Sequence, residues 1–255
     1  MGKYKETAII IRQEEIADNI YSMWLKNDNI ASEAVPGQFV SLYCNDGSRI
    51  LPRPISICEI DRVDGALQLV YRVAGKGTEE FCGYHSGKLI EVMGPLGNGF
   101  PLKSKKAFLI GGGIGIPPML ELAKQLDCEK QIILGYRDRQ TFLVNELKKY
   151  ADVYIATEDG SVGTKGNVLN AIEENNLSAD IIYACGPTPM LRALKEYGQK
   201  NNIETWISME EKMACGIGAC LACVCKSKNK DHHTNVNNKR ICKDGPGFLA
   251  QEVEF

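Results

Sequence analysis

The cysteines near the carboxyl end of the chain are the residues with the most specific chemistry. Five of the ten cysteines lie between residues 215 and 242, and the run Cys215, Cys220 and Cys223 has the spacing C-x4-C-x2-C. This spacing, with a distant fourth cysteine, is typical of one class of [2Fe–2S] site. Ligands so spaced cannot converge from a regular helix or strand, so we expect a tight loop that uses the freedom of Gly216 and Gly218. The run therefore predicts an iron–sulfur cluster.

The spacing leaves two candidates for the fourth ligand. Cys225 lies two residues after Cys223, so on a strand both side chains would share a face and yet diverge from one iron. Cys242 follows a polar segment and could fold back onto the loop, which makes it the candidate that we favour. His232 and His233 could be Rieske-type ligands, but four cysteines suffice, and we expect both histidines in a solvated loop. A zinc ribbon is the alternative, although zinc sites usually pair two C-x2-C motifs and a single suitable pair is present.

Two unusual turns each follow a run of residues with strand character. A glycine turn with the sequence GGGIG over 111–115 lies between the apolar run AFLIGG and a helical pattern. In that context main-chain N–H groups and a helix N-terminus can meet a pyrophosphate. The spacing departs from G-x-G-x-x-G, so a strand–helix turn without a ligand is the alternative. A second turn, CGPTPM over 185–190, ends another predicted strand, and the carboxyl ends of neighbouring parallel strands border the ligand crevice.

Arginines at strand ends form a third, less specific candidate site. The sequence RPIS over 53–56 begins one predicted strand, and Arg72 lies near the end of another. Thr78 follows and is expected to cap a short helix. Arginines beside a helix N-terminus suit a phosphate group, and solvated arginines are the alternative.

The elements that must position these residues fall into three parts. Residues 1–102 hold six short strand patterns separated by turns, which predicts an antiparallel barrel or sandwich. Residues 103–208 alternate strand and helix patterns, which predicts a parallel sheet with crossover helices near 117–126, 141–150, 168–175 and 187–200. Residues 209–255 are rich in cysteine and then polar, so we expect a small cluster domain with a loop over 226–240.

The composition narrows the class of protein. The chain has 255 residues, 44% hydrophobic and 24% charged, which excludes wholesale disorder. A net charge of −2 makes a large nucleic-acid-binding face unexpected. The uncharged run 107–120 is too short and too rich in glycine and proline to span a bilayer, and the first ten residues lack an apolar signal-peptide core. We therefore expect a cytoplasmic protein that binds neither nucleic acid nor membrane.

Together the motifs resemble those of the ferredoxin–NAD(P)+ reductase superfamily, which joins an FAD-binding antiparallel barrel to a nicotinamide-binding α/β domain. RPIS is similar to its flavin motif R-x-[YP]-[ST], GGGIGIPP to its pyridine-nucleotide turn, and CGPTPM to its C-G-P-x-x-M loop. The segments EEKMACGIGACLACVC and RICKDGPGF resemble, more narrowly, the iron–sulfur electron-transfer subunits of class 1B, NAD-dependent dihydroorotate dehydrogenases. The resemblance extends over essentially the whole chain, and the long polar insert over 228–238 departs from it.

This resemblance implies three sets of cofactor-binding residues. For FAD they are Arg53, Pro54, Ile55, Ser56, Val70, Tyr71, Arg72, Gly77 and Thr78. For NAD(H) they are Gly111, Gly112, Gly113, Gly115, Cys185, Gly186, Pro187 and Met190, with Cys185 also a catalytic candidate near the nicotinamide. For the [2Fe–2S] cluster they are Cys215, Cys220, Cys223 and Cys242.

The resemblance also implies a function and a partner. An FMN-containing catalytic subunit would oxidise dihydroorotate, and electrons would reach NAD+ through the cluster and FAD of this chain, with two copies of each subunit in the complex. The flavin subunit of a sulfide dehydrogenase, a hydrogenase or a ferredoxin:NADP+ oxidoreductase is the alternative within enzymes. A zinc-stapled binding module without redox chemistry is the alternative outside them.

Acidic residues after a predicted strand bear on the choice of nucleotide. Glu158 and Asp159 would repel a 2′-phosphate, which favours NADH over NADPH. Arg137 and Arg139, near the end of the preceding strand, would instead attract a 2′-phosphate and so favour NADPH. We predict that NADH is preferred.

Overall fold

The structure, a computed structural model, describes residues 2–230 and 235–254. His232 and His233 lie outside the described residues. The amino-terminal elements are β1 (Tyr4–Ala17), β2 (Ile20–Lys26), α1 (Asp28–Glu33), β3 (Phe39–Leu42), β4 (Arg53–Asp61), β5 (Ala66–Arg72), α2 (Lys76–Cys82) and β6 (Leu89–Leu96). The six strands close into an antiparallel barrel in the order β1-β2-β5-β4-β3-β6, which confirms the predicted barrel.

Alternation of apolar side chains closes this barrel. In β1, Ala8 and Ile10 are fully buried, whereas Ile9 and Ile11 are each 44% exposed. The side-chain period of two in a strand puts one set inside the barrel and the other outside. Gly65 has φ +59° in the turn between β4 and β5, where the Asp-Gly pair predicts a hairpin.

The second part of the chain builds an α/β sheet. Its elements, with those of the carboxyl-terminal segment, are β7 (Ala107–Gly112), α3 (Pro118–Gln125), β8 (Lys130–Tyr136), α4 (Val144–Leu147), β9 (Asp152–Thr157), β10 (Thr164–Lys165), α5 (Val168–Glu174), β11 (Ile181–Cys185), α6 (Thr188–Lys200), β12 (Glu204–Ser208), β13 (Val224–Lys226), β14 (Asn238–Arg240), α7 (Ile241–Asp244) and β15 (Gly247–Leu249). Seven strands form one sheet in the order β10-β9-β8-β7-β11-β12-β15. All of its pairs are parallel except that of β12 with β15, which confirms the predicted parallel sheet.

The structure differs from the predicted elements of this part in one helix and in strands that the sequence did not indicate, among them β12 and β15. The helix expected over 141–150 is reduced to the single turn α4, because Leu143 adopts a left-handed conformation with φ +60° and ends any helix that precedes it. Strand β15 comes from the segment after the cysteines and pairs with the edge strand β12. The carboxyl-terminal segment therefore completes the sheet.

A buried carboxylate joins the barrel to the sheet domain. Glu121 of α3 is 1% exposed, and its Oε2 accepts a hydrogen bond of 2.7 Å from the Ile60 N–H of β4. Lys124, one turn further on, forms a 2.9 Å ion pair with Glu59. Helix α3 begins shortly after the glycine turn, and β4 begins with RPIS. These contacts therefore fix the turn and the arginine–proline strand relative to each other.

Packing and hydrogen bonds also fix the cysteine segment. Cys223 and Cys242 belong to the same buried core cluster as Phe39 and Leu96 of the barrel. Asn98, just after β6, donates from Nδ2 to the carbonyls of Lys243 (3.0 Å) and Asp244 (3.2 Å). Across residues 2–230 and 235–254 there is no helix with the length and apolar character of a bilayer span.

Candidate redox centre

The cysteine run forms a tight loop, as its spacing predicts. Gly216 has φ +69° and Gly218 has φ +84°, both in the left-handed region that favours glycine. The loop directs main-chain N–H groups at one sulfur: Cys215 Sγ accepts hydrogen bonds from residues 217, 219 and 220 at 3.3–3.5 Å. Desolvation raises the pKa of the Cys215 thiol, but these hydrogen bonds outweigh it and lower the pKa to about 6. Cys215 is therefore a thiolate at neutral pH, the form that binds metal.

The four predicted ligands form two pairs. The Cys220 N–H donates to Cys215 Sγ at 3.4 Å. Cys242 donates its N–H to Cys223 Sγ at 3.4 Å, and their side chains are also in contact. In the described residues no three His, Cys, Asp or Glu side chains converge into a site for a single metal ion. Two pairs of thiols, with N–H groups directed at sulfur, are the donor set that a two-iron cluster requires.

The structure separates the two candidates for the fourth ligand. The Cys242 N–H donates to Cys223 Sγ at 3.4 Å, and burial, with smaller contributions from the Cys223 and Cys215 thiols, raises the pKa of Cys242 to about 12. Cys225 lies on β13 opposite Lys239, and burial raises its pKa to about 11. Cys242 is thus hydrogen-bonded to a predicted ligand, whereas Cys225 is paired with Lys239, and the choice of Cys242 as the fourth ligand stays a prediction.

Arg240 connects the cysteine loop to Asp244 of α7. Its guanidinium is held by Asp244 at 3.1 and 3.2 Å, and its Nη1 donates to the Gly218 carbonyl at 3.4 Å. Arg240 is 9% exposed, so this ion pair is largely shielded from solvent. The polar segment over 226–240 is thus not entirely loop, because β13 and β14 pair at its two ends and bring Arg240 to the cluster loop.

The arginine–proline strand and α2 meet at a glycine. A Cβ on Gly77 would lie 2.2 Å from Arg53 Nε, so the absence of a side chain there makes room for the guanidinium. The prediction that Thr78 caps the helix is wrong: Gly75 is the capping residue and the helix begins at Lys76. Thr78 Oγ1 instead accepts hydrogen bonds from the N–H groups of residues 74 and 75, at 2.9 and 3.2 Å.

The three residues implied at the end of β5 lie in different surroundings. Tyr71 is buried in the barrel core, where its hydroxyl donates to Gln13 Oε1 at 3.2 Å. Val70 is 3% exposed and faces the opposite side of β5, where it belongs to the core cluster that the barrel shares with the sheet domain. Arg72 is exposed and reaches the glycine turn, since a Cβ on Gly113 would lie 3.5 Å from its Nη2. For Tyr71 and Val70, contact with a ligand is therefore limited to the main chain.

The glycine turn and the Cys-Gly-Pro turn are in direct contact. Strands β7 and β11 are neighbours, with Gly111 opposite Cys185. A Cβ on Gly115 would lie 2.4 Å from the Cys185 carbonyl oxygen, and one on Gly112 would lie 2.6 Å from Met190 Sδ. A side chain at either position would push the turns apart. Gly186, with φ +159°, completes this close packing against Gly112.

Cys185 itself is fully buried. Burial raises the pKa of its thiol above the ordinary value, as does the neighbouring Glu210, while the Ser208 hydroxyl lowers it. The thiol therefore stays protonated at neutral pH. Its position at the carboxyl end of β11 puts it beside the glycine turn, and its catalytic role stays a prediction.

A cavity of about 720 Å³ opens beside these two turns. Among the predicted nucleotide-binding residues, Gly112, Gly113, Pro187 and Met190 line it, together with Arg72 of the barrel. Glu158 and Arg137 also line it. The Asp159 carboxylate instead accepts a 2.9 Å hydrogen bond from the Ser161 N–H. The charged residues that line this cavity are thus three acidic ones, Asp18, Asp138 and Glu158, and two arginines, Arg72 and Arg137.

Sequence reasoning did not identify several residues of the cavity wall. Asp18 and Asn19, in the turn between β1 and β2, line the same cavity as the glycine turn. The Asp18 N–H is bound by Gln140 Oε1 at 3.1 Å, which ties the barrel to the loop after β8. Asn19 adopts a left-handed conformation with φ +59°, which asparagine tolerates. An asparagine in a turn does not by itself indicate a ligand site.

Comparison with known proteins identifies the family. Residues 210–254 match the model of the iron-sulfur cluster binding domain of dihydroorotate dehydrogenase B, and residues 109–196 match that of the oxidoreductase NAD-binding domain. The electron transfer subunit of dihydroorotate dehydrogenase B (NAD(+)) from Fusobacterium nucleatum is 44% identical, over 98% of both chains. That of Bacillus velezensis is also 44% identical, over 94% of both chains. This chain belongs to the family of dihydroorotate dehydrogenase B electron transfer subunits.

Membership of this family decides between the alternatives left by the sequence. The match over 210–254 favours an iron–sulfur centre over a zinc module. Relatives at 44% identity favour a dihydroorotate dehydrogenase subunit over the flavin subunit of another complex. The chain is therefore an oxidoreductase subunit that transfers electrons, with an iron–sulfur centre and an NAD-binding domain, as predicted.

Solved structures bear out the fold. The structure described as an NADH-dependent reduced ferredoxin-NADP oxidoreductase, studied for flavin-based electron bifurcation, has a TM-score of 0.88 and 27% identity, and the match covers 100% of this chain and 91% of that one. The ferredoxin reductase of carbazole 1,9a-dioxygenase has a TM-score of 0.67 at 18% identity, covering 80% of this chain and 67% of that one. The second likeness extends to the fold alone.

The charges of the cavity lead to a prediction about the nucleotide. NADH should exceed NADPH in kcat/KM with a dye acceptor, because the Glu158 carboxylate faces the cavity and repels a 2′-phosphate. Glu158→Gln should reduce that preference roughly tenfold, as expected for the loss of a charge–charge repulsion at short range. Asp159→Asn is the matched control and should leave it unchanged, since that carboxylate is engaged by Ser161. Wild-type protein that used both nucleotides equally would contradict the prediction.

Proposed function

We propose that this chain carries electrons from an FMN-containing catalytic subunit, which oxidises dihydroorotate, to NAD+ in pyrimidine biosynthesis. The complex would contain two copies of each subunit and would be cytoplasmic. One observation carries the proposal: the barrel contacts the cysteine loop at one place and the glycine turn at another. Gly216 packs against residues of β3 and β6, and Gly113 packs against Arg72 of β5. A cofactor on the barrel would therefore lie between the other two sites.

The flavin site that we propose uses the exposed ends of β4 and β5 and the start of α2. Arg53 and Arg72 supply cations at the barrel rim, and Gly77 leaves space beside Arg53. Thr78 orders the start of α2 through its bonds to the preceding main chain. The full set is Arg53, Pro54, Ile55, Ser56, Val70, Tyr71, Arg72, Gly77 and Thr78. When bound, FAD exchanges single electrons on one side and a hydride on the other, and the protein supplies placement and electrostatics.

The nicotinamide nucleotide would bind in the cavity beside the two turns. Gly111, Gly112, Gly113 and Gly115 allow the main chain to approach a pyrophosphate closely. Residues 185–190 lie against this turn at the carboxyl end of β11, where ligands of parallel sheets bind. Cys185, Gly186, Pro187 and Met190 then form the wall at the reacting ring.

The iron–sulfur ligands that we propose are Cys215, Cys220, Cys223 and Cys242. Their pairing, together with the N–H groups directed at Cys215, supports this set. We assign residues 1–102 to a flavin domain, 103–208 to a nucleotide domain and 209–255 to a cluster domain. Strand β15 of the last segment pairs with β12, which ties the cluster domain to the nucleotide domain.

Anaerobic reduction of the purified chain by NADH tests this order of sites. We expect the flavin absorption to bleach and the electron paramagnetic resonance signal of a reduced [2Fe–2S] cluster to appear, because a flavin on the barrel would border both other sites. In Cys220→Ser the flavin should still bleach while the cluster signal is absent. Bleaching of the flavin in wild-type protein with a full complement of iron, but without the cluster signal, would remove the support for this electron path.

A further inference from the structure

The outer face of strand β3 lies between the cysteine segment and the arginine–proline strand. Val40 and Leu42 point into the barrel core, whereas Phe39 belongs to the core cluster shared with Cys223 and Cys242. Because side chains alternate along a strand, Ser41 lies on the same face as Phe39. That face is turned toward the iron–sulfur segment.

Ser41 has an unusual environment for a hydroxyl group. It is 1% exposed, and among the described residues no atom is in position to hydrogen-bond to its Oγ. Buried polar groups in native proteins are almost always hydrogen-bonded, because an unpaired one loses its interaction with water without compensation. A bound group with acceptor atoms would account for this hydroxyl.

The nearest loop identifies that group. A Cβ on Gly216 would lie 3.2 Å from Ser41 Oγ and 3.3 Å from Met93 Cε, so the hydroxyl packs against the residue that follows Cys215. Ser41 is also paired with Pro54 on β4 and with Met93 on β6. The main chain of Ser41 therefore lies beside the first residues of the flavin strand, while its hydroxyl packs against the cysteine loop.

We propose that Ser41 donates its hydroxyl hydrogen to a sulfur of the iron–sulfur cluster. Thiolate and sulfide sulfurs are acceptors without donors, so the hydroxyl must donate. A hydrogen bond to sulfur stabilises the reduced, more negative cluster more than the oxidised one and so raises the reduction potential. Ser41 would thus set the driving force for transfer between the cluster and the flavin. The inference rests on the proposed ligand set.

The test is the midpoint potential of the cluster in the full chain, followed by electron paramagnetic resonance during a redox titration. Ser41→Ala should lower the equilibrium constant for cluster reduction about tenfold, equivalent to about 59 mV for one electron. Ser41→Thr keeps the hydroxyl and should restore the potential. Ser22→Ala is the matched control, since Ser22 is a buried barrel serine whose Oγ is already bonded by Gln68 at 2.9 Å.

An unchanged cluster potential in Ser41→Ala, with full iron content, would overturn the inference. So would an equal shift in Ser22→Ala, or a shift of the flavin potential alone. If Ser41→Ala loses its cluster, Ser41→Cys can be used instead, because a thiol is a donor of similar size but weaker. In that variant we expect a smaller decrease of the cluster potential. An unchanged potential would contradict the role of Ser41. A wild-type chain without a [2Fe–2S] signal would instead mean that the ligand assignment itself fails.

Discussion

Serine in place of Cys215, Cys220, Cys223 or Cys242 should abolish the iron–sulfur cluster, whereas Cys225→Ser should leave it in place. A two-iron cluster has four thiolate ligands, and a hydroxyl replaces a thiolate poorly as a ligand for iron. The contrast between the last two cysteines is the informative part. Both are buried and both have raised pKa values, but the Cys242 N–H donates to Cys223 Sγ, whereas Cys225 lies opposite Lys239 on β13.

Iron and acid-labile sulfide per chain measure this outcome directly. Wild-type protein and Cys225→Ser should hold about two iron atoms per chain, and the other four variants close to none. Flavin content is the internal control, because the barrel folds from a different part of the chain and should keep its cofactor in every variant. Loss of iron in Cys225→Ser with retention in Cys242→Ser would reverse the assignment of the fourth ligand.

The cysteine loop shows what could be predicted from the sequence. C-x4-C-x2-C imposes a local constraint that no regular element meets, so the loop and the positive φ of Gly216 and Gly218 follow from spacing alone. The apolar run of β7 is an equally local signal, and this strand is found where it was expected. The prediction that both turns lie at strand ends is also local, whereas the adjacency of β7 and β11, which brings the two turns together, is seen in the structure.

Features that depend on tertiary contacts were beyond local reasoning. Strand β15 is three residues long and exists because the edge of β12 is available to it. The helix expected over 141–150 is limited to one turn by the left-handed Leu143, a conformation that leucine rarely adopts and that its sequence does not announce. Ser41 lies in an ordinary strand pattern, and its meaning depends on Gly216, which is 175 positions away in the sequence (41 to 216).

The candidate site divides in the same way. The sequence predicts that acidic residues lie near the nucleotide cavity. It does not predict that Glu158 lines the cavity while Asp159 accepts a hydrogen bond from Ser161 in its own loop. Tyr71 belongs to a flavin motif by resemblance, yet its ring is in the barrel core. Side-chain direction at a strand end or in a turn is set by packing, and therefore by residues distant in sequence.

The second large effect that we expect is dependence on a partner. Expressed alone, the chain should reduce dyes with NADH and should not oxidise dihydroorotate, because it contains no motif that resembles an orotate site. The cluster loop is the part through which electrons from the partner subunit would enter. Cys220 is exposed, and Ile217 and Leu221 beside it are 44% and 43% exposed. Apolar side chains around a partly exposed redox centre suit the buried core of a protein–protein contact.

Addition of an FMN-bearing dihydroorotate dehydrogenase subunit from the same source should confer NAD+-linked oxidation of dihydroorotate and yield a larger complex in size-exclusion chromatography. Ile217→Asp should weaken that association at least tenfold, since a charge in the core of an interface is left desolvated and unpaired. Ile9→Asp is the matched control: Ile9 is equally exposed, at 44%, but lies on the outside of β1 in the barrel. Iron content shows whether Ile217→Asp retains its cluster. Equal weakening by both variants, or oxidation of dihydroorotate by the isolated chain, would contradict a docking surface at the cluster loop.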